Sequence, residues 1–317
     1  MGLVPEGPIS IDLKEVRETM ATENSVVVAV DGSKASQAAV RWAANTANKR
    51  GLPLRLVTSF TIPRYLFSEG MTPPQELFDD LEAQAKETID EARGIAQEVV
   101  PDLHIEETIA ESSPVDLLLR LSEEVPLIVM GSRGLGNLSG IIMGSVSAGV
   151  VSHASSPVVV VREDAEVTEK NKYGPVVVGV DGSDISAKAT AEAFKEADTR
   201  GAKLRAVHTW LDSQSSSPLP GVVEVQHDWE SIEKEQKAQV EKLLEPHRKE
   251  FPDVEVEVLI VRNSPVRALE QNSKDAQLVV LGSHGRGGFR GMLLGSTSRA
   301  LLQSASVPVE IVRPTKD

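Results

Sequence analysis

The chain of 317 residues contains no cysteine, which excludes a disulfide frame, a thiolate metal site and a cysteine nucleophile together. A reducing compartment is the natural fit. No apolar run approaches the ~20 residues needed to span a bilayer. The opening stretch, MGLVPEGPISIDLKEVRETMATEN, lacks a basic flank followed by an apolar segment. The expectation is a cytoplasmic protein with no membrane partner. A dense Lys/Arg cluster is also missing: 47 acidic residues against 33 basic give a net charge of −14. Cut after Arg162, the halves hold 13 basic and 22 acidic, then 20 basic and 25 acidic residues. Neither half is a basic module, so nucleic acid is not an expected partner.

What is present is an ordinary globular composition, 40% hydrophobic and 25% charged, in a chain long enough for two units of about 150 residues. The two halves repeat each other. SVVVAVDGS at 25–33 matches PVVVGVDGS at 175–183, and Gly51 meets Gly201, at an offset of 150. SPV at 113–115 matches SPV at 264–266, and SHASSPVVVVR at 152–162 matches QSASVPVEIVR at 303–313, at an offset of 151. That period is far too long for a solenoid and means two copies of a whole domain. The expected division is an N-terminal extension at 1–24, a first domain at 25–162, a charged linker at 163–174, a second domain at 175–313 and a short tail at 314–317. The extension reads as a solvated tail.

Within each copy, short apolar runs alternate with longer segments of helical period. VVVAV, LRLVTSF, LHIEETI, LIVM and PVVVV read as strands in the first copy; VVVGV, LRAVHTW, VEVEVLI, LVVL and PVEIV do so in the second. Several are β-branched on both faces, as in a parallel sheet covered from both sides. SQAAVRWAANTANKRG and SAKATAEAFKEADTRG have apolar residues three or four apart and end in glycine, the pattern of helices with glycine stops. The charges of 74–100 and 227–250 are explained by solvated helix faces. The predicted fold is α/β: two tandem doubly wound domains, each a five-stranded parallel sheet with helices on both faces. Ligands in such sheets sit at the carboxyl ends of the strands.

Directly after each fourth strand lies a glycine loop. MGSRGLGNLSGIIMGS at 130–145 holds five of the 23 glycines and LGSHGRGGFRGMLLGS at 281–296 holds six. Gly131, Gly134, Gly144 and Ser145 recur at identical spacing as Gly282, Gly285, Gly295 and Ser296. An isolated loop of this kind is as readily a mobile connector or tight turn; duplication at fixed spacing argues for function. The first glycines would let backbone N–H groups form an anion nest. Gly144 and Ser145 would open a helix whose unpaired N–H groups and dipole attract phosphate. The serine there can cap the helix and donate to a phosphate oxygen. Such a loop suits a polyphosphate.

Other nucleotide motifs are excluded. No G-x-x-x-x-G-K-[ST] occurs, hence no P-loop lysine. GLG at 134–136 and GRG at 285–287 hint at the dinucleotide fingerprint, but that motif belongs after the first strand. The first strands are followed instead by Asp31-Gly32-Ser33 and Asp181-Gly182-Ser183. If the chain changes winding direction between strands one and four, each Asp lies beside its glycine loop and could accept from a ribose hydroxyl or an adenine amine. Asp-Gly-Ser is equally ordinary turn chemistry. The six histidines show no metal-ligand spacing, His153 reads as packed or exposed rather than catalytic, and no G-x-S-x-G elbow occurs.

A strand ending in DGS, a helix closing at Arg-Gly and G-x2-G-x9-G-S together resemble the universal stress protein family, in the branch that binds ATP. The resemblance covers about 25–162 and 175–313, and it implies an adenine nucleotide alpha hydrolase-like fold. Asp31 and Asp181 would contact the adenosine end, and Ser59 and Thr209 would flank the adenine. Gly131, Gly134, Gly144 and Ser145, with Gly282, Gly285, Gly295 and Ser296, would hold ribose and phosphates, and Val146 and Thr297 would add contacts at the helix start. Mg²⁺ or Mn²⁺ would ride on the phosphates with no direct protein ligand. The resemblance also implies pairing of the two domains through their final strands, and a homodimer is compatible with it. One departure is Arg133, which has His284 as its counterpart. Two functions remain open: a regulatory ATP-binding protein of stress response, or a slow ATPase or nucleotidyl transferase of the same fold. Chemistry on a phosphate needs a placed base or cation clamp, and none repeats in both copies: Arg286 has only Leu135 opposite it.

Overall fold

The short Val-rich runs form strands because their branched side chains pack on both faces of a covered sheet. The structure is a computed structural model and describes residues 24–62, 73–134, 143–165, 171–210, 229–286 and 293–314. Residues 1–23 of the N-terminal extension, 166–170 of the linker and the middle of each glycine loop, 135–142 and 287–292, lie outside the described residues.

In the first half the chain runs β1 (Val26–Ala29), α1 (Lys34–Arg50), β2 (Leu54–Phe60), α2 (Gln75–Val99), β3 (Ile105–Glu111), α3 (Pro114–Leu121), β4 (Leu127–Gly131), α4 (Ser145–His153) and β5 (Val158–Val161). The second half repeats the order: β6 (Val176–Gly179), α5 (Asp184–Arg200), β7 (Leu204–Thr209), α6 (Trp229–Glu250), β8 (Val256–Val261), α7 (Pro265–Asn272), β9 (Leu278–Gly282), α8 (Ser296–Ser304) and β10 (Val309–Val312). All ten strands join one sheet in the order β3-β2-β1-β4-β5-β10-β9-β6-β7-β8. Strands are parallel within each half, and β1 pairs with β4 as β6 pairs with β9. The winding direction therefore reverses between strands one and four, which opens a crevice at the carboxyl edge.

The halves meet where β5 and β10 pair antiparallel, with Glu310 opposite Val159. The final strands thus join the domains, as the resemblance implied. Above this seam α1 and α5 face each other. Arg50 pairs with Glu196 and, at 3.5 Å, with Glu192. Arg200 reaches Glu196 at 2.7 Å and the Thr46 hydroxyl at 3.1 Å, and its guanidinium lies 4.9 Å from the centre of the Trp42 ring.

Both helices start and stop as their sequences specify. Ser33 and Ser183 cap α1 and α5 by accepting from the N–H groups of Ser36 and Ser186, each at 3.2 Å. Gly51 and Gly201 close them in the left-handed region. Small buried residues, Ala35, Ala39, Ala43 and Ala47, let α1 lie close on the sheet. Two expectations shift. β3 and β8 begin two residues later than their apolar runs, because as outermost strands they are half-buried and their acidic residues alternate with apolar ones. The linker is not wholly solvated: Ala165 and Asn171 at its described ends are buried.

Candidate functional site

Each first strand ends in a turn built by its aspartate. Asp31 Oδ1 accepts from the Ser33 N–H at 3.0 Å and Asp181 Oδ1 from the Ser183 N–H at 2.9 Å. The residue between must adopt a left-handed conformation, and Gly32 and Gly182 do so at φ +79° and +78°. The plain turn role of these aspartates is therefore real. It uses one carboxylate oxygen and leaves the other, Oδ2, directed toward the glycine loop.

That geometry explains the second loop glycine. A Cβ at Gly134 would stand 2.4 Å from Asp31 Oδ2, and one at Gly285 2.2 Å from Asp181 Oδ2. The first glycine answers to a different neighbour: a Cβ at Gly131 would lie 2.8 Å from the Ala35 carbonyl carbon and the Ser36 nitrogen, and one at Gly282 2.6 Å from Ile185 Cγ2. None of these four glycines has a positive φ. The reading of Gly131 and Gly134 as a nest for anions is thus corrected; they are small because α1 and the Asp carboxylate press against them.

The loop is clamped at both ends by the same bonds in each half. The Gly144 N–H donates to the Ser132 carbonyl at 2.9 Å, and the Gly295 N–H to that of Ser283 at 2.7 Å. Ser147 Oγ donates to the Gly131 carbonyl at 2.8 Å, and Ser298 Oγ to that of Gly282 at 2.7 Å. Gly144 and Gly295 are the N-caps of α4 and α8, with no side-chain cap. Ser145 and Ser296 therefore do not cap, as the sequence suggested they would. They stand at the first helical position, past the one from which a hydroxyl reaches back to the leading N–H groups.

A cavity of about 440 Å³ opens at this edge in the first half, and one of about 320 Å³ in the second. Asp31, Ser59, Gly131, Gly134, Gly144, Ser145 and Val146 all line the first. Asp181, Thr209, Gly282, Gly285, Gly295, Ser296 and Thr297 all line the second. Ser59 Oγ is buried and has no hydrogen-bond partner among the described residues. Sequence reasoning missed the apolar floor: Val57, Pro114, Leu117 and Met130 in the first cavity, Val207, Pro265, Leu269 and Leu281 in the second. The repeated SPV was the signal available, since its proline lines both sites. His153 lies outside, exposed, with Nδ1 2.9 Å from the Gly149 carbonyl.

The two aspartates differ in their surroundings. Burial alone would raise the Asp181 carboxyl. The Ser183 amide and hydroxyl, with the amide and guanidinium of Arg286, outweigh that and hold it below the usual carboxylate range. The hydroxyl of Ser183 donates to Asp181 Oδ1 at 2.7 Å, whereas that of Ser33 donates to the Arg133 carbonyl at 3.1 Å.

A family model described as the universal stress protein family matches residues 24–162 and 172–313. Universal stress protein Rv2005c of Mycobacterium tuberculosis is 38% identical over 299 residues, covering 92% of this chain and 97% of that protein. Universal stress protein Rv2623 of the same organism is 36% identical over 302 residues, covering 93% and 99%. The crystal structure of a universal stress protein from Archaeoglobus fulgidus superposes with a TM-score of 0.63 at 21% identity, covering 93% of this chain and 98% of that one. This last likeness concerns the fold.

Proposed function

This chain belongs to the universal stress protein family, and we propose that it is an ATP-binding, regulatory member with one nucleotide site in each of two domains, 25–162 and 175–313. The observation that carries the reading is the pair of cavities at the carboxyl edge, each bounded by an aspartate turn, a clamped glycine loop and an uncapped helix start. Asp31 Oδ2, turned to the glycine loop, and the Ser59 hydroxyl, lining the cavity, suit the hydroxyls and ring nitrogens of adenosine. The apolar floor of Val57, Leu117 and Met130 suits a base. The leading N–H groups of α4 and α8 suit phosphate.

In this reading the phosphates lie along Gly134, Gly144, Ser145 and Val146 in the first site, and along Gly285, Gly295, Ser296 and Thr297 in the second. Gly131 and Gly282 shape the floor. Mg²⁺ or Mn²⁺ would be held through the phosphates, neutralising their charge. The protein acts in the cytoplasm, changing its shape or partners when loaded. Binding rather than turnover is favoured because no base or cation clamp beside the phosphates repeats in both copies: Arg286 has Leu135 opposite it, and Arg133 has His284.

The test is paired calorimetric titration of ATP and inorganic triphosphate against wild type, Asp31→Ala and Asp31→Asn. Asn keeps the turn acceptor and loses the charge. If Asp31 holds adenosine, Asp31→Ala weakens ATP at that site by about 1–3 kcal/mol. Triphosphate is held equally or slightly better, since a nearby negative charge has gone. Parallel losses for both ligands, rescued by Asn, return Asp31 to a turn former. No binding of millimolar ATP by wild type removes the function and leaves the fold.

A further inference from the structure

The two cavities share their glycines and their aspartates but not their cations. In the first, Arg133 stands between the glycines, exposed, and none of the described residues lies within 4 Å of where a Gly32 Cβ would be. In the second, Arg286 follows the second glycine and its guanidinium lies on the aspartate turn: a Cβ at Gly182 would be 2.2 Å from its Nη2 and 3.2 Å from its Cζ. The Arg286 N–H donates to Asp181 Oδ2 at 3.0 Å, and the guanidinium adds its charge beside the same carboxylate. Asp181 thus has both oxygens engaged, Oδ1 by Ser183 and Oδ2 by the Arg286 N–H; Asp31 Oδ1 is engaged by Ser33, and the residue that matches Arg286 lies outside the described residues. Position 135, the counterpart of Arg286, is leucine and carries no charge to do the same.

We propose that Arg286 makes the second cavity select for phosphorylated nucleotide, while the first also accepts the unphosphorylated nucleoside. The proposal rests on the nucleotide reading of both sites. A nucleoside entering the second cavity meets an aspartate whose acceptor sites are taken and a guanidinium over the turn, and offers that cation nothing in exchange. A triphosphate does. Arg286 lies on the same loop that leads to the start of α8, so phosphate at that helix start is within the loop's own compass. Exchanging carboxylate for phosphate keeps the guanidinium paired and uncovers the turn for the adenosine. His284, where the first loop has Arg133, is turned to the Ser283 hydroxyl at 3.1 Å, and Arg286 is the arginine that lines this cavity among the described residues.

The probes are adenosine and ATP, titrated calorimetrically into the full chain. Adenosine fills the wild-type protein in two phases, the weaker by roughly fivefold, the size of one exposed ion pair, whereas ATP fills two sites of closer affinity. In Arg286→Leu the weak adenosine phase strengthens and merges with the strong one, and ATP weakens at the second site. Arg286→Lys, which keeps the charge without the planar fork, falls between. Repeating the titrations in a Gly134→Gln background, which leaves only the second cavity open, assigns the phase without relying on curve separation. Equal adenosine affinity at both wild-type sites overturns the proposal, as does an adenosine profile that Arg286→Leu leaves unmoved; in either case two-site ATP binding survives. Absence of ATP binding altogether overturns the nucleotide reading itself.

Discussion

Glu310 is the most exposed prediction of this structure, because it is fully buried and neither carboxyl oxygen has a hydrogen-bond partner. The charges that act on it are those of Glu196 and Glu192 and, more weakly, Arg50 and Arg200. Burial, and then those two carboxylates, push its carboxyl well above the ordinary value of 4.5, the arginines only partly opposing. A buried polar group left unsatisfied costs about 1–3 kcal/mol. Replacing it by leucine, of similar volume, removes that cost and adds apolar contact with the core that includes Val159 and Val312. Glu310→Leu should therefore stabilise the chain by about 1–3 kcal/mol near pH 4.5, and by more as the pH rises.

The pH dependence has a definite sign. Since the folded value lies above the unfolded one, the folded chain holds the extra proton, and the contribution is complete below 4.5. Stability is then lost as pH rises toward the raised folded value, by about 1.4 kcal/mol for each pH unit. The assay is urea unfolding at several pH values from 4.5 to 8 for wild type, Glu310→Leu and Glu310→Gln. The gap between wild type and leucine should widen with pH, and glutamine should abolish the slope without the full gain. A leucine variant less stable than wild type at every pH, or a gap independent of pH, refutes the reasoning: the carboxylate would then be ionised and paired with the arginines.

The remaining predictions concern the seam and the cavities. Glu196→Ala removes the carboxylate that both Arg50 and Arg200 engage, leaving two buried cations opposed, and should cost about 3–5 kcal/mol in the same unfolding assay; a cost under about 0.5 kcal/mol would make that cluster ornamental. Gly134→Gln and Gly285→Gln should each remove one equivalent of ATP, because the added Cβ drives into Asp31 or Asp181; unchanged stoichiometry in the double variant places the phosphates elsewhere. Ser59→Ala deletes a buried oxygen that has no partner among the described residues, so thermal stability should hold or rise slightly while ATP at the first site weakens by about 1 kcal/mol.

The repeat, the strand order's reversal and the location of both cavities were legible because each rests on a local rule: periodicity, glycine stops and the placing of ligands at a switch point. The fourteen candidate residues line the two cavities, but four of them, Ser59, Val146, Thr209 and Thr297, came from the family resemblance and from no local rule. Their individual physical roles were less legible. Nothing in the spacing G-x2-G told that the first glycine yields to the Ala35 backbone and the second to an aspartate far away in sequence. Nor did it tell that Gly144 rather than Ser145 would be the cap. Long-range approach decides these, and a one-residue difference in a cap is below what pattern resolves. The seam charges were missed for a further reason. Arg50, Glu196 and Arg200 read as ordinary helix surface, and only the pairing of β5 with β10 buries them.

That burial also explains why the copies diverge where they do. An antiparallel seam between two copies has a local twofold axis, and residues on it meet their own counterparts. Glu310 and Val159 are repeat equivalents and direct pairing partners; glutamate in both places would bury two carboxyls against each other. A second carboxyl there would carry the same cost of a buried, unsatisfied polar group, about 1–3 kcal/mol, so an acidic residue in one copy alone is the less costly arrangement. The helices above obey the same constraint. Arg50 and Arg200 are equivalents drawn toward one another, and they are tolerated because Glu196 serves both while its own equivalent is the neutral Thr46. Glu192, likewise, has as its equivalent the neutral Trp42, on which Arg200 stacks. Each aspartate and its second loop glycine, by contrast, touch only within one copy, where the same contact distance can be kept twice. Identity between the halves is therefore expected at the cavities and is not kept at Glu310 and Glu196 of the seam, and a variant made symmetric there, Val159→Glu, should weaken the pairing of the two halves through β5 and β10, read as a lower urea midpoint than wild type.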